Sequence, residues 1–255
     1  MKSNNIPIYQ RDDFKKMQKS GRLAAYILDQ LYELIQPGIS TLEINDFCHD
    51  LIIKNNAIPA PLNYKGFPKS VCTSINDVVC HGIPNAKQKL KEGDIINVDV
   101  TPIVDGYHGD SSRTFIVGKA SPKIEKLVKV TKECLELGMA TVKIGSRVGD
   151  IGAVIQKHAE SNGFSVVRDF VGHGIGRKFH EDPQIPHYGK AGTGTRFQAG
   201  MVFTIEPMIN TGHWKTKVRK DGWTAVTLDG GWSAQFEHTM AIRSDGTLDV
   251  LTRKD

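Results

Sequence analysis

The sequence predicts an α+β fold of two similar halves around one central sheet. Three observations carry that reading. Two amphipathic helix patterns open the chain and short apolar strand-like runs follow them. The same order, two helices then strands, recurs after residue 120. No Pro/Gly/Ser-rich linker separates the two stretches, so residues 1–255 are expected to form one domain with halves near 10–118 and 119–252.

The first helix is expected over residues 12–35. Met17, Leu23, Ala24, Ile27, Leu28, Leu31, Leu34 and Ile35 recur there mostly at three- and four-residue steps, and Pro37-Gly38 ends the pattern. Ser40-Thr-Leu-Glu43 reads as a capping box opening a second helix to about residue 54. Strands are expected over 70–75, 95–104 and 107–117. The second half begins with Ser121-Pro122 as N-cap and first helical residue. Ile124, Leu127, Val128, Thr131, Cys134, Leu135 and Met139 mark its first helix, and 147–161 its second, stopping before Gly163. Strands near 165–171, 200–209, 223–228, 233–242 and 248–251 complete it.

Four acids interrupt these strands: Asp99, Asp110, Glu206 and Glu237. Carboxylates are depleted in strands, and an unpaired buried one would sooner neutralise than stay charged. Asp99 and Asp110 flank a hairpin signal at Asp105-Gly106 and are expected almost opposite each other on one face. Like charges so placed need a cation between them. His173 lies between glycines in Gly172-His-Gly-Ile-Gly176, which lacks the strand-then-helix setting of a dinucleotide loop. Four carboxylates and one imidazole form a hard ligand set suited to a pair of divalent ions.

Composition narrows the class. The chain is 39% hydrophobic and 24% charged, with net charge +5, ordinary for a soluble globular protein. Its basic residues are dispersed, apart from short runs such as Lys215 to Lys220, and no specific nucleic-acid footprint is expected. Cys48, Cys72, Cys80 and Cys134 match no zinc or disulfide spacing and fit a reducing compartment. The N-terminus lacks an apolar signal core and no run approaches the length of a membrane span, so a cytoplasmic location is expected.

Pro68-Lys-Ser-Val-Cys-Thr-Ser-Ile-Asn76, Val79-Cys-His-Gly-Ile-Pro84, Asn97-Val-Asp-Val100, His108-Gly-Asp110, Gly172-His-Gly-Ile-Gly176, Thr204-Ile-Glu-Pro-Met208 and Gln235-Phe-Glu-His238 occur together in this order. In that combination the chain resembles the type I methionine aminopeptidases, over nearly its whole length. The resemblance implies the duplicated "pita-bread" fold, a central antiparallel sheet with two helix pairs on one face. It implies two divalent ions (Co, Mn or Fe) on Asp99, Asp110, His173, Glu206 and Glu237, with Asp110 and Glu237 bridging. A monovalent Na or K site using backbone near Asn76 and Val78 and the region of Ser233 is also implied.

For catalysis the resemblance implies Glu206 as proton shuttle, His180 as stabiliser of the tetrahedral intermediate and His81 near the peptide nitrogen. Tyr64, Phe67, Cys72, Phe179 and Trp223 are implied to line the methionine pocket with His81 and His180. Pro61 stands where many relatives carry cysteine, and Phe67 where many carry tyrosine. The implied partner is the N-terminal methionine of nascent polypeptides, met by a monomer in transient association with the ribosome. Two rivals share the scaffold. A proline dipeptidase usually carries a further N-terminal domain, and a non-catalytic relative at the ribosome or on RNA tends to lose ligands, whereas all five are kept here.

Overall fold

A computed structural model describes residues 6–253; most of the N-terminal segment read above for a signal core lies outside them. Helix α1 spans Arg11–Leu34 and α2 spans Thr41–Lys54. The capping box at the start of α2 forms in both directions: the Ser40 hydroxyl accepts from the Glu43 N–H and the Glu43 carboxylate accepts from the Ser40 N–H. Helix α3 spans Pro122–Ala140 and α4 spans Val148–Ser161. Ser121 occupies the N-cap of α3, but its side chain makes no capping bond; Pro122 supplies the start through its fixed φ.

Each helix pair buries its own apolar stripe. Leu23, Ile27, Leu28 and Leu31 of α1 and Ile44, Cys48 and Ile52 of α2 pack on Ile96, Val98, Val100 and Phe115. Leu127, Cys134, Leu135, Ile151 and Ile155 of α3 and α4 pack on Ile205, Ile209, Ala234 and Met240. At ~25 cal/mol per Å² of apolar area removed from water, these two layers are the main cohesive term.

The strands are antiparallel and hydrogen-bonded in sections. Cys72–Ile75, Ile95–Val100 and Ser111–Ile116 form one three-stranded section. Glu181–Ile185, Gly172–Gly174, Val202–Ile205, His238–Ile242 and Leu248–Val250 form a five-stranded section. Several runs expected to be continuous break: 95–104 divides at Thr101, and three break at an acid, 107–117 at Gly109-Asp110, 200–209 at Glu206-Pro207 and 233–242 at Phe236-Glu237. The strand expected over 165–171 is confined to Ser165–Val166. Glu181–Ile185 is a strand that the sequence pattern did not mark, because a proline and two acids hide it.

Side chains bridge the sections along a polar seam. Thr114 Oγ1 donates to the Gln235 carbonyl at 2.7 Å and accepts from the Gln235 N–H at 3.1 Å. Asn97 Nδ2 reaches the same carbonyl at 2.9 Å. Ser111 Oγ donates to the Glu237 carbonyl, and the Glu237 N–H donates to the Ser112 carbonyl. Thr239 Oγ1 likewise accepts from the Asp110 N–H and donates to the Asp110 carbonyl. These bonds hold Asp110 of the first half beside Glu237 of the second.

Candidate metal centre

Asp99, Asp110, His173, Glu206 and Glu237 all line one cavity of about 800 Å³. Asp99 projects from Ile95–Val100, while the other four come from strand breaks or the glycine-flanked strand Gly172–Gly174. The hairpin places Asp99 opposite Ser112 rather than Asp110, a displacement of two residues. The ladder is centred at Asp105-Gly106 through Val104 pairing with Tyr107, one residue later than the midpoint of the two acids. Two residues preserve the face, so the acids still converge, as diagonal neighbours.

Glycine brings His173 in. A Cβ at Gly174 would lie 2.1 Å from the Asp182 carbonyl oxygen, so only glycine lets Glu181–Ile185 pair there. His173 Nδ1 lies 3.0 Å from the Gly174 carbonyl. A carbonyl only accepts, so Nδ1 carries the proton and Nε2 presents its lone pair to the acids. Nε2 is 3.7 Å from Asp110 Oδ2 and 3.7 Å from Glu206 Oε1. Those gaps exceed a normal hydrogen bond of ~2.7–3.2 Å, and suit donors that share an ion ~2 Å from each. Ligand atoms of Asp110, His173 and Glu237 lie within 4.8 Å of one another.

The electrostatics point the same way. Burial raises the carboxyl pKa of Asp99 and Glu237 well above the ordinary range, and the neighbouring acids add to it. Glu206 is pushed up to about 8 by burial and by Asp110. Burial also raises Asp110, against the opposing pull of His173 and the Thr101 hydroxyl. Asp99 Oδ1 is buried with no hydrogen-bond partner among the described residues. Mutually repelling buried acids, one with an orphaned oxygen, fit a set of oxygen ligands that a divalent cation completes.

Around this set, the Thr101 hydroxyl donates to Asp110 at 2.7 Å, and the Thr204 hydroxyl donates to Glu206 at 2.8 Å. Gln235 Nε2 donates to the other Glu206 oxygen at 3.2 Å. His187, 1% exposed, accepts the Glu206 N–H on Nε2 at 3.0 Å. None of the four is among the residues that the sequence pattern marks for the site. Thr204 and Gln235 each stand two residues before an acid, a same-face spacing that signals them; His187 leaves no such trace.

The remaining expected site residues gather on the same wall. Tyr64, Phe67, Cys72, His81, Phe179, His180 and Trp223 line the cavity, with Pro61, Phe170 and Met208 beside them. Phe67 meets Trp223 edge-on at 5.2 Å, and Tyr64 meets Phe179 at 5.0 Å. His180 lies 4.2 Å from the His173 ring, centroid to centroid, and its Nδ1 is 3.0 Å from the Tyr64 hydroxyl. Burial lowers His81 to about 4 and His180 to about 3, so both are neutral at pH 7. His108 bonds the Gly176 carbonyl and stacks on Phe179, and His238 turns away to Thr252.

Asn76, Val78 and Ser233 lie outside the cavity wall. The Ser233 N–H donates to the Asn76 carbonyl at 2.8 Å, while Ser233 Oγ is buried without a partner among the described residues. Asn76 adopts a left-handed φ of 51°.

The chain is 62% identical to methionine aminopeptidase A of Synechocystis sp. over 249 residues, covering 98% of each. The crystal structure of methionine aminopeptidase from Rickettsia prowazekii superposes with a TM-score of 0.95 at 51% identity, covering 97% of this chain and 100% of that one. Prolidase from Pyrococcus furiosus shares the fold at 19% identity and TM-score 0.75, over 97% of this chain and 66% of that one. Residues 15–244 match the profile of metallopeptidase family M24, and with its acids and imidazole gathered in one buried cavity, the chain belongs to that family.

Proposed function

We propose that the protein is a metalloaminopeptidase that removes the initiator methionine from nascent proteins and peptides whose second residue is small. The observation that carries the reading is the convergence of Asp99, half-buried with one oxygen orphaned, the buried Asp110, Glu206 and Glu237, and the Nε2 of His173 in an aromatic-walled cavity. The 62% identity to a methionine aminopeptidase, against 19% for the prolidase, favours methionine over X-Pro substrates.

Asp99, Asp110, His173, Glu206 and Glu237 would hold two divalent ions, for which Mn, Fe and Co are all suitable. When bound, such ions acidify a water and polarise the scissile carbonyl. Glu206 takes the proton of the attacking water and returns it to the leaving amine; the Thr204 and Gln235 bonds fix its carboxylate for that exchange. With the Tyr64 hydroxyl, 3.0 Å from His180 Nδ1, as the donor of that bond, Nε2–H is left to donate to the developing oxyanion. His81, neutral and packed between Phe170 and Trp223, is placed toward the peptide nitrogen. Phe67, Cys72 and Trp223 offer the methionine side chain an apolar slot that selects by shape. Pro61 on this wall removes the thiol that many relatives present.

The buried Ser233 hydroxyl, without a partner among the described residues, supports a Na or K site beside Asn76 and Val78 behind the catalytic wall. The described residues contain no helix long and apolar enough to cross a membrane. We read the protein as one catalytic domain acting as a cytoplasmic monomer that meets its substrates at the ribosome.

A peptide panel tests the assignment. After chelation and reloading with one metal at a time, Met-Gly-Met-type peptides lose their first residue and X-Pro dipeptides stay intact. Equal or faster cleavage of X-Pro would overturn the reading.

A further inference from the structure

A second cavity, of about 540 Å³, opens between α1 and α3 behind the metal centre. Asp29 and Tyr32 of α1 line it on one side, and Lys132 and Glu136 of α3 on the other. Its floor is the seam: Ser111, Ser112, Glu237 and His238. Arg113 and Arg253 complete the rim.

The cations here are unevenly matched. Arg113 bonds Asp29 at 3.0 Å and lies over the Tyr32 ring at 5.2 Å, so its charge is answered and its position fixed. Lys132 and Arg253 have no carboxylate partner among the described residues. Arg253 Nε lies 3.4 Å from His238 Nε2. Glu136 is the remaining acid on the walls, because Glu237 also lines the catalytic cavity and belongs to its ligand set. Among the described residues, two cations without a carboxylate partner face one exposed acid, which gives the cavity excess positive charge.

We propose that this cavity is a binding site for a small oxyanion, phosphate or carboxylate, held by Lys132 and Arg253. Guanidinium and ammonium groups converging on one cavity supply the charge-assisted donors that such oxygens take. The site is separate from peptide hydrolysis, which uses the opposite wall of the Ser111–Ser112 and Glu237 seam.

The test is calorimetric titration of the metal-loaded protein with inorganic phosphate at fixed ionic strength, with methionine saturating the catalytic cavity. Sodium acetate serves as a competitor. The expected result is saturable phosphate binding that weakens about tenfold or more in Lys132→Gln/Arg253→Gln, with peptide cleavage unchanged. Acetate that displaces phosphate from the wild type but not from the variant supports a site reading the oxyanion itself; acetate without effect, with the variant still weakened, supports a phosphate-selective site. Equal phosphate affinity in the two proteins, or no detectable binding to the wild type, would overturn the proposal. Both substituted residues are exposed, so unchanged thermal unfolding of the variant controls for folding.

Discussion

At Glu206 the carboxylate accepts from the Thr204 hydroxyl and the Gln235 amide while its own N–H is held by His187. Glu206→Gln keeps the shape but removes the proton acceptor. Turnover should fall by roughly 10²–10⁴-fold, in keeping with loss of a general base, while the unfolding temperature stays near wild type. A purified variant as fast as wild type would refute the proton role. His187 acts on the same residue from behind. Its pKa, lowered to about 3 by burial, keeps the ring neutral and Nε2 available as an acceptor. His187→Phe should strand the Glu206 N–H at a cost of about 1–3 kcal/mol. Metal affinity, measured by competition with a chelator, should drop roughly 10–100-fold, as for other residues that support a ligand, and His187→Gln should recover part of it.

Among the elements, the seam joins what the helices cannot. Thr114 both gives and takes a bond with the Gln235 backbone, so Thr114→Val leaves a buried N–H short of its partner. Thermal unfolding should show a loss of about 1–3 kcal/mol, with weaker metal retention because Gln235 also steadies Glu206. If Thr114→Val retained both stability and metal, the seam would not be what holds the halves together. The same elements explain what could be read in advance. α1 to α4 were legible within a residue or two, because their apolar stripes and the Ser40-Glu43 box are local signals. Most of the longer strands were legible as apolar runs, Glu181–Ile185 excepted, but not where they break. Asp110 and Glu237 leave the ladder to meet Thr239 and Ser111–Ser112 far along the chain, and no local pattern encodes a partner in the other half. His187 was invisible for the same reason, lying 19 residues from the group it holds.

For the molecule as a whole, the buried acids set how the metal-free protein responds to pH. A carboxyl whose folded pKa is raised favours the folded state at low pH, and that contribution is lost as pH climbs through the folded value. For Glu206 the window runs from its ordinary 4.5 to about 8, and Asp99 and Glu237 act in the same direction. The buried histidines work oppositely. His187, lowered from 6.5 to about 3, removes stability as pH falls below 6.5. Between 6.5 and 8 the acids therefore stand alone. The unfolding temperature of the chelated protein should fall over that interval, and the gain on adding Mn should widen, since binding there displaces fewer protons. A gap independent of pH would mean that the acids are already charge-balanced without an ion.

Asp110 and Glu237 stand on opposite banks of a boundary stitched by hydroxyls and amides, groups that solvent can replace one for one. A cation bound by both acids is then also a rivet. Prising the two banks apart and letting it escape would be a single event, and a chelator would work on this protein as a wedge.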